Sequence, residues 1–154
     1  MDRSDIVVTP ASAGRPESRA LIAELDDYLN SLYPPERSYL LDIDELMQPS
    51  VTFLLATYAG EAVGCGALRQ IDGMSAELKR MYVRPQARGL GIGRALLTAL
   101  EESARERGLG YLLLETGISQ PEALSLYERH GFVQRSAFGD YREDTLSLFY
   151  EKRL

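Results

Sequence analysis

The 154-residue sequence contains one cysteine, one histidine and no tryptophan. A single cysteine cannot form an internal disulfide, and one cysteine with one histidine gives little support to a Cys/His metal cluster or catalytic dyad. The first residues carry acids where a signal peptide needs a basic and then an apolar stretch. We therefore expect a cytoplasmic protein that holds no metal ion.

Long apolar segments are also missing. The longest apolar runs begin at Val51 and surround Leu112, and both are far shorter than the roughly 20 residues that span a bilayer. Acids outnumber bases by 23 to 17, which argues against binding nucleic acid through its phosphates. With 45% hydrophobic residues, the chain has the composition of one folded domain over residues 1–154, with neither a membrane nor nucleic acid as its partner.

The hydrophobic pattern predicts a mixed α/β domain. Short β-branched or apolar runs bounded by turn residues predict strands, and apolar residues spaced i, i+4, i+7 predict helices. The predicted strands are Asp5–Thr9, Val51–Tyr58, Glu61–Ile71, Ala76–Arg84, Tyr111–Thr116, Phe132–Gln134 and Thr145–Glu151. The predicted helices are Glu17–Leu32, Leu40–Met47, Ile92–Arg107 and Pro121–His130.

Two local patterns refine this outline. The strand, helix and strand from Ala76 to Thr116 have the length of a right-handed βαβ crossover, so these two strands are predicted to be parallel neighbours. Ser119 and Glu122 fit a capping box, with Pro121 in the first turn of the last helix.

Acids are absent from residues 78–100, although the segment holds five cations. Most charge runs are solvated surfaces, and a site for a small polyanion is the alternative interpretation. Within the segment, Gly89, Gly91 and Gly93 open the third helix, where backbone N–H groups and the helix dipole favour an anion. The loop has neither the Gly-Lys-Ser/Thr ending of a P-loop nor the glycine spacing of a dinucleotide-binding turn.

The pattern that remains, Arg88-x-x-Gly91-x-Gly93, resembles the pyrophosphate-binding signature Q/R-x-x-G-x-G/A of the GNAT family of acetyltransferases. A strand precedes it, and a later helix ends in Tyr127-x-x-x-Gly131-Phe132, as in that family. The resemblance covers about residues 51–133. It implies the GNAT acyl-CoA N-acyltransferase fold: a mostly antiparallel sheet of six or seven strands with one splayed parallel pair, flanked by about four helices.

The resemblance also implies acetyl-CoA as cosubstrate. Family members insert its pantetheine arm between the splayed strands, and many use an asparagine where this chain has Gln120, which leaves that contact open. The implied cofactor-binding residues are Met81, Tyr82, Val83, Arg88, Gly89, Leu90, Gly91, Ile92, Gly93, Arg94 and Gln120.

Two side chains are implied as catalytic. An amine of pKa about 10.4 is only about one part in a thousand free base at pH 7, so a base must lie nearby. Glu77 lies where histone-acetylating members carry a glutamate base, acting directly or through a water, and its alternative role is pairing with Lys79 or Arg80 in the sheet. Tyr127 resembles the tyrosine that protonates the coenzyme A sulfur, and its alternative role is packing the helix onto the sheet.

These implications predict an N-acetyltransferase that acts on an amine of a small molecule, amino acid or peptide. The alternative is an acyl-CoA-binding sensor or regulatory module of the same fold, and a homodimer is left open. Eight acids against three arginines between Arg15 and Met47 favour a cationic acceptor, whereas Arg80 favours a carboxylate. The candidate acceptor-site residues are Tyr33, Arg37, Tyr39 and Arg80.

The two remaining reactive side chains are given structural roles. Cys65 lies between two glycines in a strand and has no recognisable base partner, so it is predicted to be a buried, inert thiol. His130 ends a helix, where the dipole favours a cation.

Overall fold

The computed structural model describes residues 5–33 and 42–154. Over these residues the strands are β1 (Ile6–Pro10), β2 (Val51–Tyr58), β3 (Glu61–Gln70), β4 (Ser75–Val83), β5 (Tyr111–Gly117), β6 (Val133–Arg135) and β7 (Ser147–Arg153). The helices are α1 (Pro16–Leu32), α2 (Ile43–Leu46), α3 (Ile92–Glu106) and α4 (Pro121–Arg129). Each predicted element is present, although the predicted start of the second helix, at Leu40, lies outside the described residues. No helix in the described ranges is long and apolar enough to cross a bilayer.

The strands of the described residues form one seven-stranded sheet in the order β1-β2-β3-β4-β5-β7-β6. β4 and β5 are parallel, and the other neighbouring strands are antiparallel. The predicted fold class, with one parallel pair in a mostly antiparallel sheet, is confirmed. The chain passes from β4 to β5 through α3, as the predicted crossover requires.

The parallel pair diverges soon after it begins. β4 pairs with β5 only over residues 75–77, although β4 continues to Val83. The register of β4 against β3 shifts between Cys65 and Ala67, where β4 contains one extra residue, and Arg80 has a positive φ of 58°. Such a bulge bends a strand and increases its twist. The bulge therefore accounts for the gap that opens between β4 and β5.

The sheet face covered by α3 and α4 carries the larger apolar core. Leu96 and Leu100 of α3 are fully buried there. Glycines on β3 let α3 lie close: a Cβ at Gly64 would come 3.3 Å from Leu96, and one at Gly66 would come 3.1 Å from Leu100. Truncating a buried leucine at such a position typically costs about 2–5 kcal/mol.

The opposite face, called here the acceptor face, has two separate apolar clusters. α1 packs Leu21 and Leu25 against β2 to β4. The segment between β6 and β7 covers β5 and β7, where Phe138 packs on Leu113 and Phe149. Polar side chains of β4 and β5 lie between the two clusters.

The predicted capping box of α4 is wrong. The N-cap is Gln120, and no side chain of the described residues caps the helix. The backbone N–H of Ser119 donates instead to the Tyr33 hydroxyl at 3.1 Å. A tertiary contact from the end of α1 thus replaces the local cap that the sequence suggests.

Candidate active site

The loop between β4 and α3 has the geometry of an anion-binding turn. Gly89 and Gly91 have φ values of 83° and 87°, in the left-handed region that favours glycine. Gly91 is the N-cap of α3 and provides no side-chain cap, so the first N–H groups of the helix have no partner within it. A Cβ at Gly89 would meet no atom within 4 Å. The N-terminus of α3 is therefore open to an anion.

A cleft of about 540 Å³ adjoins this loop, a size typical of small-molecule sites. Residues of α1, β4, α3 and α4 form its other walls. Leu90, alone among the predicted cofactor-binding residues, does not line it and packs against the core on the α3 face. The predicted residues that do line it are Met81, Tyr82, Val83, Arg88, Gly89, Gly91, Ile92, Gly93, Arg94 and Gln120.

Positive charge dominates the wall of the cleft. Glu122 is the acid among the described lining residues, and one of its oxygens lies 3.9 Å from Arg88. Arg129 also lines the cleft, and sequence reasoning did not predict it. It lies on α4, two residues after Tyr127, so the helix that carries Tyr127 was the available signal. The lining residues with cationic side chains are Arg88, Arg94 and Arg129. His130 also lines the cleft, and burial lowers the pKa of its imidazole, which disfavours the cation expected at the end of α4.

Tyr127 lines the cleft from α4 and is 7% exposed. Its ring packs edge-on against Phe132, with 5.8 Å between ring centroids. Burial raises the pKa of its phenol above the ordinary value. No group among the described residues forms a hydrogen bond with its hydroxyl. Tyr127 therefore both packs α4 onto the sheet and presents a protonated hydroxyl at the wall of the cleft.

Glu77 is 1% exposed on the acceptor face and does not line the cleft. Its Oε2 accepts a hydrogen bond from the Tyr141 hydroxyl at 2.5 Å and lies 3.4 Å from Lys79 Nζ. Its Oε1 accepts a hydrogen bond from Arg69 Nη2 at 3.2 Å. Glu77 therefore has the alternative role given in the sequence analysis, which is pairing with cations in the sheet. Lys79 is one of these partners, as suggested, and Arg69 is the other instead of Arg80. Glu77 is thus a buried carboxylate in contact with two cations and a hydroxyl.

Glu115 is a second carboxylate on the acceptor face, and sequence reasoning missed it. It lies on β5, two residues after Leu113, which belongs to the last β4–β5 pair. Its Oε1 accepts a hydrogen bond from Ser147 Oγ at 2.9 Å, and burial raises the pKa of its carboxyl. The sequence signal that could have identified Glu115 is the presence of a charged residue inside an otherwise apolar predicted strand.

Tyr33 reaches the same end of β5 from the end of α1. Its hydroxyl donates to Gln120 Oε1 at 3.3 Å. A Cβ at Gly117 would lie 1.7 Å from that hydroxyl oxygen, so only glycine leaves room for it. The structure thus places a predicted acceptor-site residue beside a predicted cofactor-binding residue.

Comparison with known proteins identifies the family. Residues 18–132 match the model of the acetyltransferase (GNAT) family. The chain belongs to the GNAT family of acetyltransferases. An IAA acetyltransferase of Azospirillum brasilense is 50% identical to it over 135 residues, which cover 87% of this chain and 88% of that protein.

Solved structures agree with this assignment. A Klebsiella pneumoniae structure assigned to the acyl-CoA N-acyltransferases matches with a TM-score of 0.82 and 40% identity over 97% of each chain. A GNAT acetyltransferase of Elizabethkingia anophelis, solved with acetyl-CoA bound, matches with a TM-score of 0.69 over 97% of this chain and 99% of that one. At 23% identity, the second likeness shows the shared fold.

Two acids of α1 in this GNAT protein form ion pairs with arginines of β4 and of the residue that follows it. The buried Arg80 pairs with Asp26 of α1. Arg84 pairs with Glu24 of the same helix at 2.8 Å. These acids therefore fasten α1 to the sheet, which weakens the prediction that they form a surface for a cationic acceptor. Arg37 and Tyr39, also predicted to contact the acceptor, lie outside the described residues.

The two remaining reactive side chains are Cys65 and His130. Cys65 is fully buried, as predicted, and its burial raises its pKa to about 12. A thiol in that state is a poor nucleophile at neutral pH. His130 follows α4, and its Nε2 lies 3.4 Å from Glu101, which also pairs with Lys152 at 2.5 Å.

Proposed function

We propose that this GNAT enzyme transfers the acetyl group of acetyl-CoA directly to the amine of a small molecule, amino acid or peptide. The observation that carries the proposal is the cleft beside the diverging strands, with the open N-terminus of α3 and the hydroxyl-bearing Tyr127 in its walls. Family membership supports acetyl transfer, and the acetyl-CoA bound to the Elizabethkingia neighbour supports the donor.

The side chains and backbone of the cleft suit coenzyme A. The first N–H groups of α3, with Arg88 and Arg94, would hold the pyrophosphate. Within the described ranges, Met81 and Val83 have no strand partner on the β5 side, so their backbone could pair with the pantetheine arm. Gln120 accepts a hydrogen bond from the Gly117 N–H through its amide oxygen, and its amide NH₂ would donate to the arm.

Acetyl-CoA supplies an acetyl group activated as a thioester. Tyr127 would donate its phenol proton to the sulfur as the C–S bond breaks, since its hydroxyl has no competing partner among the described residues. A carboxylate on the acceptor face would take the proton of the incoming ammonium group. Cys65 is buried with a raised pKa, which supports direct transfer without an acetyl-cysteine.

The acceptor is proposed as a class, not a compound. The α1 acids Glu24 and Asp26 are paired with arginines. Tyr33, Glu115 and Tyr141, whose polar groups lie on the acceptor face, would contact the acceptor. The name of the Azospirillum relative makes IAA a compound to test beside the amines.

The test is thiol release from acetyl-CoA with spermidine, lysine, ethanolamine, phenylethylamine and IAA, with product masses to identify the acetylated compound. We expect at least one amine to accelerate release, with the intersecting initial-velocity lines of a ternary complex. Parallel lines would indicate an acetyl-enzyme. Calorimetric binding of acetyl-CoA with no accelerated release would favour the sensor alternative, and absent binding would overturn the assignment of the donor.

A further inference from the structure

The gap between β4 and β5 opens one edge of β5. Within the described ranges, β4 pairs with β5 only as far as Leu113, so the edge that faces the gap has no strand partner beyond it. On the other edge, the N–H of Ile118 continues the pairing with β7 by donating to the carbonyl oxygen of Leu146 at 3.0 Å. Successive N–H groups of a strand point to opposite edges. The N–H of Gly117 therefore points into the gap.

The side chain of Gln120 takes the place of a strand partner at this edge. Its Oε1 accepts hydrogen bonds from the Gly117 N–H and from the Tyr33 hydroxyl, each at 3.3 Å. An amide oxygen has two lone pairs, so these two donors occupy it fully. Among the described residues, no group accepts a hydrogen bond from the NH₂ of Gln120. Gln120 lines the cleft, and its NH₂ is thus the end left for a ligand.

The Tyr33 hydroxyl is itself fixed at this point. It accepts a hydrogen bond from the Ser119 N–H at 3.1 Å and donates its one proton to Gln120. Gly117 makes room for it, because a Cβ there would overlap the hydroxyl oxygen. Tyr33 is also the C-cap of α1, where its own N–H donates to the carbonyl oxygen of Leu29 at 2.9 Å. The end of α1, which packs on the acceptor face, is therefore fastened to a wall of the cleft.

This support matters because glutamine has a long, flexible side chain. Glutamine is among the side chains that lose most rotamer freedom when they are fixed. A side chain already held in its binding geometry loses little of that freedom when the ligand arrives, and the affinity is correspondingly higher. The two donors to the oxygen of Gln120 supply this restraint in the free protein.

We propose that Tyr33 is a positioning residue for acetyl-CoA. Its hydroxyl and the Gly117 N–H hold the oxygen of Gln120, so that the NH₂ of Gln120 is presented to the pantetheine arm before the cofactor binds. The inference rests on the proposed use of acetyl-CoA. It gives Tyr33 a role that is separate from contact with the acceptor, and it confines that role to binding of the arm.

The test compares two ligands that share their adenosine end. Coenzyme A carries the pantetheine arm, and adenosine 3′,5′-bisphosphate lacks it. We expect Tyr33→Phe to weaken calorimetric binding of coenzyme A by about 2- to 12-fold, the range of one neutral hydrogen bond, and to leave binding of the bisphosphate unchanged. Tyr150→Phe is the matched control, because its hydroxyl also donates to α4, at 2.8 Å to Glu128 Oε1, and neither residue lines the cleft. It should leave both affinities unchanged.

A double-mutant cycle tests whether Tyr33 acts through Gln120. Gln120→Ala should weaken binding of coenzyme A at least as much as Tyr33→Phe does, and Tyr33→Phe should have no further effect in that background. Gly117→Ala reaches the same contact without altering either side chain, because its Cβ would displace the Tyr33 ring. It should weaken binding of coenzyme A and spare the bisphosphate, which keeps the proposal testable if Tyr33→Phe does not fold.

The other outcomes contradict the proposal in distinguishable ways. Wild-type affinity for coenzyme A in Tyr33→Phe would overturn it, and so would losses that multiply in the double variant. Equal losses for both ligands would also overturn it, because they would indicate a disturbed cleft and not a displaced Gln120. A wild-type protein that does not bind coenzyme A would instead overturn the donor assigned in the proposed function, and the role of Tyr33 with it.

Discussion

The cofactor cleft and the acceptor face are built by different means. The cleft takes most of its lining from residues 81–94 and 120–130, two short stretches whose shape follows from local rules. The acceptor face is assembled from side chains far apart in the sequence. Its described polar side chains include Tyr33, Glu77, Lys79, Glu115, Tyr141 and Ser147.

The two regions also differ in electrostatics. Cations line the cleft and Glu122 is the acid among its described lining residues, whereas on the acceptor face acids and bases largely compensate one another. Mutations in a cleft lined by cations should change the affinity for a polyanion. Mutations on the acceptor face, where acids and bases are paired, should change the rate of transfer and its dependence on pH. The predictions below test this division.

The largest expected effect is on the cleft, from Gly91→Glu. This change places a side chain and a negative charge at the N-cap of α3, so we expect no calorimetric binding of acetyl-CoA. Gly108→Glu is the matched control, because Gly108 also has a positive φ of 75° but lies beyond the other end of α3. Both variants should lose stability, and only Gly91→Glu should lose binding. Binding retained by Gly91→Glu would remove the phosphate-site assignment.

Tyr127→Phe should lower kcat by about 10²–10⁴-fold while leaving coenzyme A affinity and Tm nearly unchanged. The removed hydroxyl has no partner among the described residues, so little folding energy depends on it. Tyr150→Phe is the control in the same ring cluster, where the hydroxyl donates to Glu128 Oε1 at 2.8 Å. That control should lower Tm and spare kcat. A loss confined to cofactor affinity would make Tyr127 a binding residue.

Arg88→Ala should weaken acetyl-CoA binding by roughly 10- to 150-fold, which corresponds to one charge-assisted contact of about 1.5–3 kcal/mol. The effect should shrink in calorimetry at high salt, because salt screens charge pairs. Arg153→Ala removes the same charge from an exposed position outside the cleft and should leave binding unchanged. Equal losses in both variants would indicate an effect of net charge.

Sequence reasoning predicted the order of elements well because hydrophobic periodicity and turn residues are local signals. It did not indicate the bulge that separates β4 from β5, since the positive φ falls on Arg80 and not on a glycine. The splayed pair was expected from family resemblance alone. Glu115 was missed because it stands within a run of apolar residues that predicts a buried strand. Tyr33 replaces the predicted cap of α4 through a contact between residues 86 positions apart.

The smallest expected effect tests the acceptor face without removing a carboxylate. Burial raises the pKa of the Glu115 carboxyl, and the hydrogen bond that its charged form accepts from Ser147 opposes that rise. Ser147→Ala should therefore raise that pKa and move the acidic limb of kcat/KM to higher pH, while the plateau at high pH and the affinity for coenzyme A stay unchanged. Ser125→Ala, on α4 outside the set of residues lining the cleft, is the control for loss of a hydroxyl. A limb that does not move would mean that another group governs it, and a limb that moves to lower pH would contradict the role of Ser147 as a donor to an ionised Glu115.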